Sequence, residues 1–195
     1  MSLLATFSAA LEARDPYLHG HSARVTAVAE ALARLIGWRH PELEVLRLGG
    51  SLHDVGKIAV DARILRKPGQ LTAAELTEIR THPLAGARLI EGVVDLRAAR
   101  PYVLHHHERW DGTGYPERKA GERIPLEARV LCIADAFDAM TSHRAYRPAL
   151  TTDGALAEIE RCAGTQFDPL LAQTFLRGWE RGEIGDPELP AAASL

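Results

Sequence analysis

His53 and Asp54 stand side by side in the run Leu52-His53-Asp54-Val55-Gly56-Lys57, so a nitrogen and a carboxylate leave adjacent residues. Mixed donors of that kind suit a divalent ion such as Mn, Fe or Zn. A single dipeptide carries little weight, because most His-Asp neighbours are solvated surface residues. The rest of the chain supplies the weight. His21, His82, His106 and His107 each fall at a helix end or joint beside apolar packing, and Asp135 lies within an apolar helix. With His53 and Asp54 they make seven nitrogen and oxygen donors and no thiolate. Two six-coordinate ions sharing a bridging carboxylate would use seven protein ligands and leave room for a bridging hydroxide. Such a pair of ions is suited to in-line attack at phosphorus. The remaining histidines, His19, His40, His105 and His143, read as surface residues.

The elements that must position these donors are helices. Residues 3–14 read as a short amphipathic helix that Pro16 stops. Over residues 21–36, Val25, Val28, Ala29, Leu32, Leu35 and Ile36 recur at three and four residues, the mark of a helix with one buried face. Gly20 and Gly37 bracket it, and Arg24 lies beside His21 on the same face. Pro41 opens the next helix, which carries Leu43, Leu46 and Leu48 towards the His-Asp pair, with Gly56 breaking it. Residues 61–70 read as an irregular loop around Pro68-Gly69. Thr72 and Glu75 form a capping box for a helix over 73–80, and Pro83 places His82 at the joint with a second helix over 84–91.

Asp111-Gly112-Thr113-Gly114-Tyr115-Pro116 is too rich in turn formers for a helix or strand, yet Trp110 and Tyr115 require it to be ordered. Pro125 then begins a helix that is apolar almost all round, through Ala128, Val130, Leu131, Ile133, Phe137 and Met140. Asp135 and Asp138 share one face of it. A buried Asp135 needs a metal, an arginine or several hydrogen-bond donors. Arg144 and Arg147 follow, then helices over 153–163 and 169–180 and a flexible tail from 181 to 195. With no strand pattern and no repeat, the expected architecture is an all-α helical bundle, a single domain over 1–180.

Composition limits the partners. The 195 residues carry 23 basic and 26 acidic side chains, for a net charge of −3. That balance argues against duplex nucleic acid, whose binding rests on many phosphate contacts. The two cysteines have neither metal-type spacing nor a disulfide framework. No apolar run approaches the length of a membrane span, and no signal peptide is evident, so a cytoplasmic protein is expected.

The ordered set His21-Ser22-Ala23-Arg24-Val25, His53-Asp54-Val55-Gly56-Lys57, His82, His106-His107-Glu108-Arg109-Trp110-Asp111-Gly112-Thr113-Gly114-Tyr115-Pro116 and Asp135-Ala136-Phe137-Asp138-Ala139-Met140-Thr141 resembles the HD-GYP family of HD-domain metal phosphohydrolases, from about residue 14 to 170. The resemblance implies an HD-type helical fold and cyclic di-GMP phosphodiesterase activity with Fe or Mn ions. It implies that His21, His53, Asp54 and Asp135 hold one ion and that His82, His106 and His107 add a second, with Asp54 bridging. Asp54 and Lys57 are then the catalytic pair. Lys57, Arg144, Arg147, Tyr115 and Asp138 are expected at the substrate. Asp111, Gly112, Gly114, Tyr115 and Pro116 belong to the loop over the site.

Members with a third metal carry a glutamate four residues before the first histidine. Tyr17 stands there in this chain, so two ions and linear pGpG as product are expected. The pattern begins almost at Met1, so any sensory domain is expected to be absent or on another chain. A diguanylate cyclase (GGDEF-type) domain, a separate regulatory chain and a homodimer are the candidate partners. The competing readings are hydrolysis of another cyclic nucleotide, a dinuclear iron oxygenase of the HD type and a non-catalytic interaction module. Lys57, Arg144, Arg147 and the 111–116 loop favour a phosphate ligand over an oxygenase substrate, and retention of all seven donors argues against a degenerate module.

Overall fold

The computed structural model describes residues 20–143 and 148–185. Within them the chain is helical, with one isolated bridge between Ala163 and Phe167 and no strand. The expected all-α architecture is what the chain adopts. The helices are α1 (His21–Leu35), α2 (Glu42–Leu52), α3 (Ala62–Leu65), α4 (Ala73–Ile79), α5 (His82–Glu91), α6 (Arg100–His105), α7 (Leu126–Thr141), α8 (Thr152–Arg161) and α9 (Pro169–Glu180). Short 3₁₀ turns at Val55–Ala59, Val94–Ala99 and Gly121–Arg123 join them. The helix expected over 3–14 lies outside the described residues.

Local chemistry sets most boundaries. Gly20 enters α1 with φ 68° and Gly37 leaves it with φ 93°, a region that glycine occupies without steric cost. Thr72 and Glu75 make the full reciprocal capping box at the start of α4. Asp168 caps α9 through the N–H groups of Leu170 and Leu171. Two expectations shift. The 61–70 segment is not wholly irregular, because the Asp61 carboxylate accepts from Arg63 N and starts the single turn of α3. His82 is the first residue of α5 rather than a joint before it, since Pro83 falls within the first turn, where its missing N–H costs nothing.

The main core gathers Val25, Leu32, Leu46, Tyr102, Leu131, Ile133, Phe137, Ile159 and Phe175 from α1, α2, α6, α7, α8 and α9. Phe137 meets Phe175 and Trp179 with ring centroids 5.5 and 5.0 Å apart. A smaller core of Leu52, Val55, Ile90, Ala99 and Val103 sits where α2 hands over to the 3₁₀ turn and α5. There Gly56 lies against the backbone of α5. A Cβ on it would overlap the His82 carbonyl and come within 2.5 Å of Gly86 N. Residues 181–185, expected to open a flexible tail, pack against α9 instead. Ile184 is fully buried and, with Glu183, donates its backbone N–H to Gly178, because an isoleucine there completes the core beside α9.

Candidate metal centre

Five elements deliver the donors to one place. His21 heads α1, His53 and Asp54 follow α2, His82 heads α5, His106 and His107 follow α6, and Asp135 stands within α7. Backbone carbonyls orient three of the rings. His53 Nδ1 donates to Gly50 O at 2.8 Å, His82 Nδ1 to Ile79 O at 2.8 Å and His106 Nδ1 to Tyr102 O at 2.9 Å. A carbonyl only accepts, so each Nδ1 holds the proton and each Nε2 presents a lone pair. His21 is oriented by a carboxylate instead, with Nδ1 2.7 Å from Asp138 Oδ2.

The lone pairs converge on Asp54. Its Oδ2 lies 3.8 Å from His21 Nε2 and 3.5 Å from His53 Nε2. Its Oδ1 lies 3.3 Å from His82 Nε2 and 3.9 Å from His106 Nε2. Asp135 Oδ1 adds a contact at 3.3 Å to His21 Nε2. The donor atoms fall into two groups, His21-His53-Asp54 and Asp54-His82-His106-His107, each within 4.8 Å. Asp54 belongs to both. His107 is half-buried, and its ring stacks on Tyr115 with centroids 4.9 Å apart.

Two observations show that the residues fit divalent ions. His53 Nε2 is fully buried without a hydrogen-bond partner, a costly state for a polar atom. His82 Nε2 and His106 Nε2 face each other at 3.3 Å, each with its proton on the far nitrogen. Two facing lone pairs call for a cation between them. The protonation pattern agrees at His53, His106 and His107, while His21 must lose a proton to ligate. Burial holds His53 below its ordinary range, and burial with the neighbouring His107 holds His106 well below it. Burial likewise pushes His107 down to about 3. Burial opposes the charge on Asp54, but Lys57, His53 and His82 outweigh it and keep the carboxyl well below its usual range. Asp135 is likewise depressed, chiefly by His21 against burial. Burial alone would lower His21, and Asp135 and Asp138 instead raise it to about 9.

The centre opens into a cleft of about 300 Å³. Lys57, Tyr115, Asp135 and Asp138 reach its lining, and Ile64, Leu65, Leu71, Leu76 and Ile79 form an apolar wall. The 111–116 loop is ordered, as expected. Asp111 binds Arg109 Nη2 at 3.0 Å and Thr113 N at 2.9 Å. Gly112 takes φ 78°, and Gly114 packs so close that a Cβ would come within 2.6 Å of Glu108 Cα. Tyr115 and Pro116 are joined by a cis bond. Asp138, expected at the substrate, stands in the cleft lining but is 3% exposed, and besides His21 it accepts from Arg24 Nε at 2.5 Å, so it orients that pair. His105, expected at the surface, is buried, because α6 turns it inward towards Glu108. Arg144, Arg147 and Tyr17 lie outside the described residues. Arg24 and Glu108 take parts that sequence reasoning did not assign. The i, i+3 spacing from His21 was the available signal for the first, and adjacency to the His-His pair for the second.

Residues 5–171 match the family model described as HD domain. The chain belongs to the HD-domain family. This HD domain is 39% identical over 177 residues to the cyclic di-GMP phosphodiesterase response regulator RpfG of Xanthomonas campestris, a match covering 90% of this chain and 47% of that protein. It is 35% identical over 173 residues to 3'3'-cGAMP-specific phosphodiesterase 2 of Vibrio cholerae, covering 88% of this chain and 33% of that one. The HD domain thus spans about half or less of the length of these relatives. Among solved structures, it superposes on a cyclic GMP-AMP phosphodiesterase of V. cholerae with a TM-score of 0.66 at 20% identity, over 94% of this chain and 50% of the other, which shows a shared fold. Among the described residues no helix is long and apolar enough to cross a membrane.

Proposed function

We propose that this HD domain is a phosphodiesterase that opens cyclic di-GMP to linear pGpG in the cytoplasm, with two divalent ions, Fe or Mn. The observation that supports it most is the division of the Asp54 carboxylate, Oδ2 towards His21 and His53 and Oδ1 towards His82 and His106. His21, His53, Asp54 and Asp135 would hold one ion, and His82, His106 and His107 with Asp54 the other. Such a pair supplies Lewis acidity at the phosphoryl group and a hydroxide nucleophile at neutral pH.

The protein's own groups do the rest. Carbonyls fix the tautomers of His53, His82 and His106, so their Nε2 lone pairs are in place before a ligand arrives, while Asp138 orients His21, which gives up its Nε2 proton when it ligates. Asp54 stays ionised despite burial. Lys57, with its amino group at the mouth of the centre, offsets charge that develops on the phosphoryl oxygens. Arg144 and Arg147 would hold the ligand's phosphates, and Tyr115 would border the scissile group from the loop. The apolar wall would cover the bases. The names of the relatives support cyclic di-GMP and, as the second reading, 3'3'-cGAMP. A diguanylate cyclase domain, a separate regulatory chain or a second copy of the chain are the partners in this reading.

Anaerobic incubation of chelated protein with either cyclic dinucleotide, with Fe(II) or Mn(II) restored and products separated by chromatography, tests the proposal. Metal-dependent conversion of cyclic di-GMP to pGpG is expected. Turnover of 3'3'-cGAMP alone would replace the substrate, and metal-independent turnover would overturn the mechanism. Three ions per chain on elemental analysis would overturn the dinuclear site. Oxygen uptake with a polyol and no phosphodiesterase activity would favour an oxygenase.

A further inference from the structure

Glu108 follows the two histidines just past α6, and its side chain is completely buried without a lysine or arginine on its carboxylate among the described ion pairs. A buried carboxylate of this kind is costly unless donors satisfy it. The donors are backbone amides. Glu117 N donates to one oxygen at 2.8 Å and Lys119 N to the other at 3.1 Å. Both belong to the returning limb of the loop that begins at Arg109. The outgoing limb is held against the same residue, since Gly114 packs on Glu108 Cα and Tyr115 N donates to His107 O at 3.1 Å. The loop is therefore wrapped around Glu108. What the wrapping presents to the centre is the Tyr115 ring, stacked on His107 at an interplanar angle of 30°.

We propose that Glu108 is a positioning residue: by pinning the Glu117 and Lys119 amides it holds Tyr115 against His107 and so fixes the imidazole that completes the second ion site. The proposal rests on the metal-centre reading but not on the identity of the substrate. The Lys119 ammonium pairs with Glu117 at 2.8 Å and takes no part, so the pin is a backbone device.

The test uses the full chain and Mn(II) alone. Glu108→Gln keeps the shape but turns an NH₂ towards one of the two amides. Amide exchange of Glu117 or Lys119 is expected to rise at least about tenfold, and the Mn(II)-binding step that includes His107 to weaken about tenfold, as loss of a ligand-orienting partner does. Tyr115→Ala should weaken the same step, and the double variant should weaken it no further, because both act through one ring. Lys119→Ala should leave Mn(II) binding unchanged. Unchanged amide exchange in Glu108→Gln would overturn the pin. Faster exchange or a lower Tm with Mn(II) binding intact would make Glu108 a purely structural residue, and additive losses in the double variant would remove Tyr115 from the route. These readouts need no nucleotide, so they stand apart from failure of the substrate assignment.

Discussion

Lys57 Nζ donates to Asp54 Oδ2 at 2.7 Å, across one turn of the 3₁₀ segment that follows the His-Asp pair. The lysine thus sits on the oxygen that faces His21 and His53, while the other oxygen faces His82 and His106. One carboxylate connects both donor groups, and one cation stands at its edge facing the cleft.

Replacing Asp54 with Asn keeps the size of that connection but removes its charge. Both Mn(II)-binding steps should weaken in a calorimetric titration, and turnover of cyclic di-GMP should be abolished. Retained turnover would refute a shared ligand.

Lys57→Met should separate chemistry from metal binding. The variant should keep its Mn(II) content and lose about 10²–10³-fold in kcat, the usual cost of one group that stabilises developing charge. Steady-state kinetics beside elemental analysis of the same sample checks it. A variant that loses its metal would make Lys57 a support for Asp54 instead.

Gly56→Ala tests the packing that sets the pair against α5. The added methyl has no space beside the His82 carbonyl and Gly86 N, both of them backbone atoms. Destabilisation of about 3 kcal/mol or more is expected from urea unfolding, at the upper end for overpacked sites. A loss below 1 kcal/mol, on the order of a surface change, would mean that the contact yields easily.

Far from the centre, Glu30 predicts an acid-dependent contribution to stability. Arg47 above all, with Arg34, lowers its carboxyl from 4.5 to about 2 against the opposing effect of burial. A depressed carboxyl stabilises the fold above its unfolded value and ceases to do so as pH falls through the folded one. The Glu30→Gln variant should therefore be less stable at pH 7, by about 1 kcal/mol or less because solvent screens the cluster. The gap should close between pH 4.5 and about 2. Urea midpoints across that range check it, and a gap that persists at pH 2 would mean that the arginines do not act through charge.

Much of the molecule was legible in the chain itself. Periodic apolar residues in α1 and α7, the glycines around α1 and the Thr72–Glu75 box are local rules, and the helices obey them. The seven donors were legible because donor chemistry resides in residue type, and a resemblance in motif order then grouped them. The partners of Asp138 and the burial of His105 were not legible. Along one helix Asp138 looks like a second copy of Asp135, and only the approach of α1 brings His21 and Arg24 to its carboxylate. His105 lies next to two donors in the chain, but the rotation of α6 sends it to the other side, towards Glu108. The burial of Ile184 likewise needs the surface formed beside α9. Residue types and spacing determined which atoms could take part. Tertiary packing decided which oxygen of Asp54 faces which histidine, because orientation depends on how separate helices meet and no local periodicity encodes it.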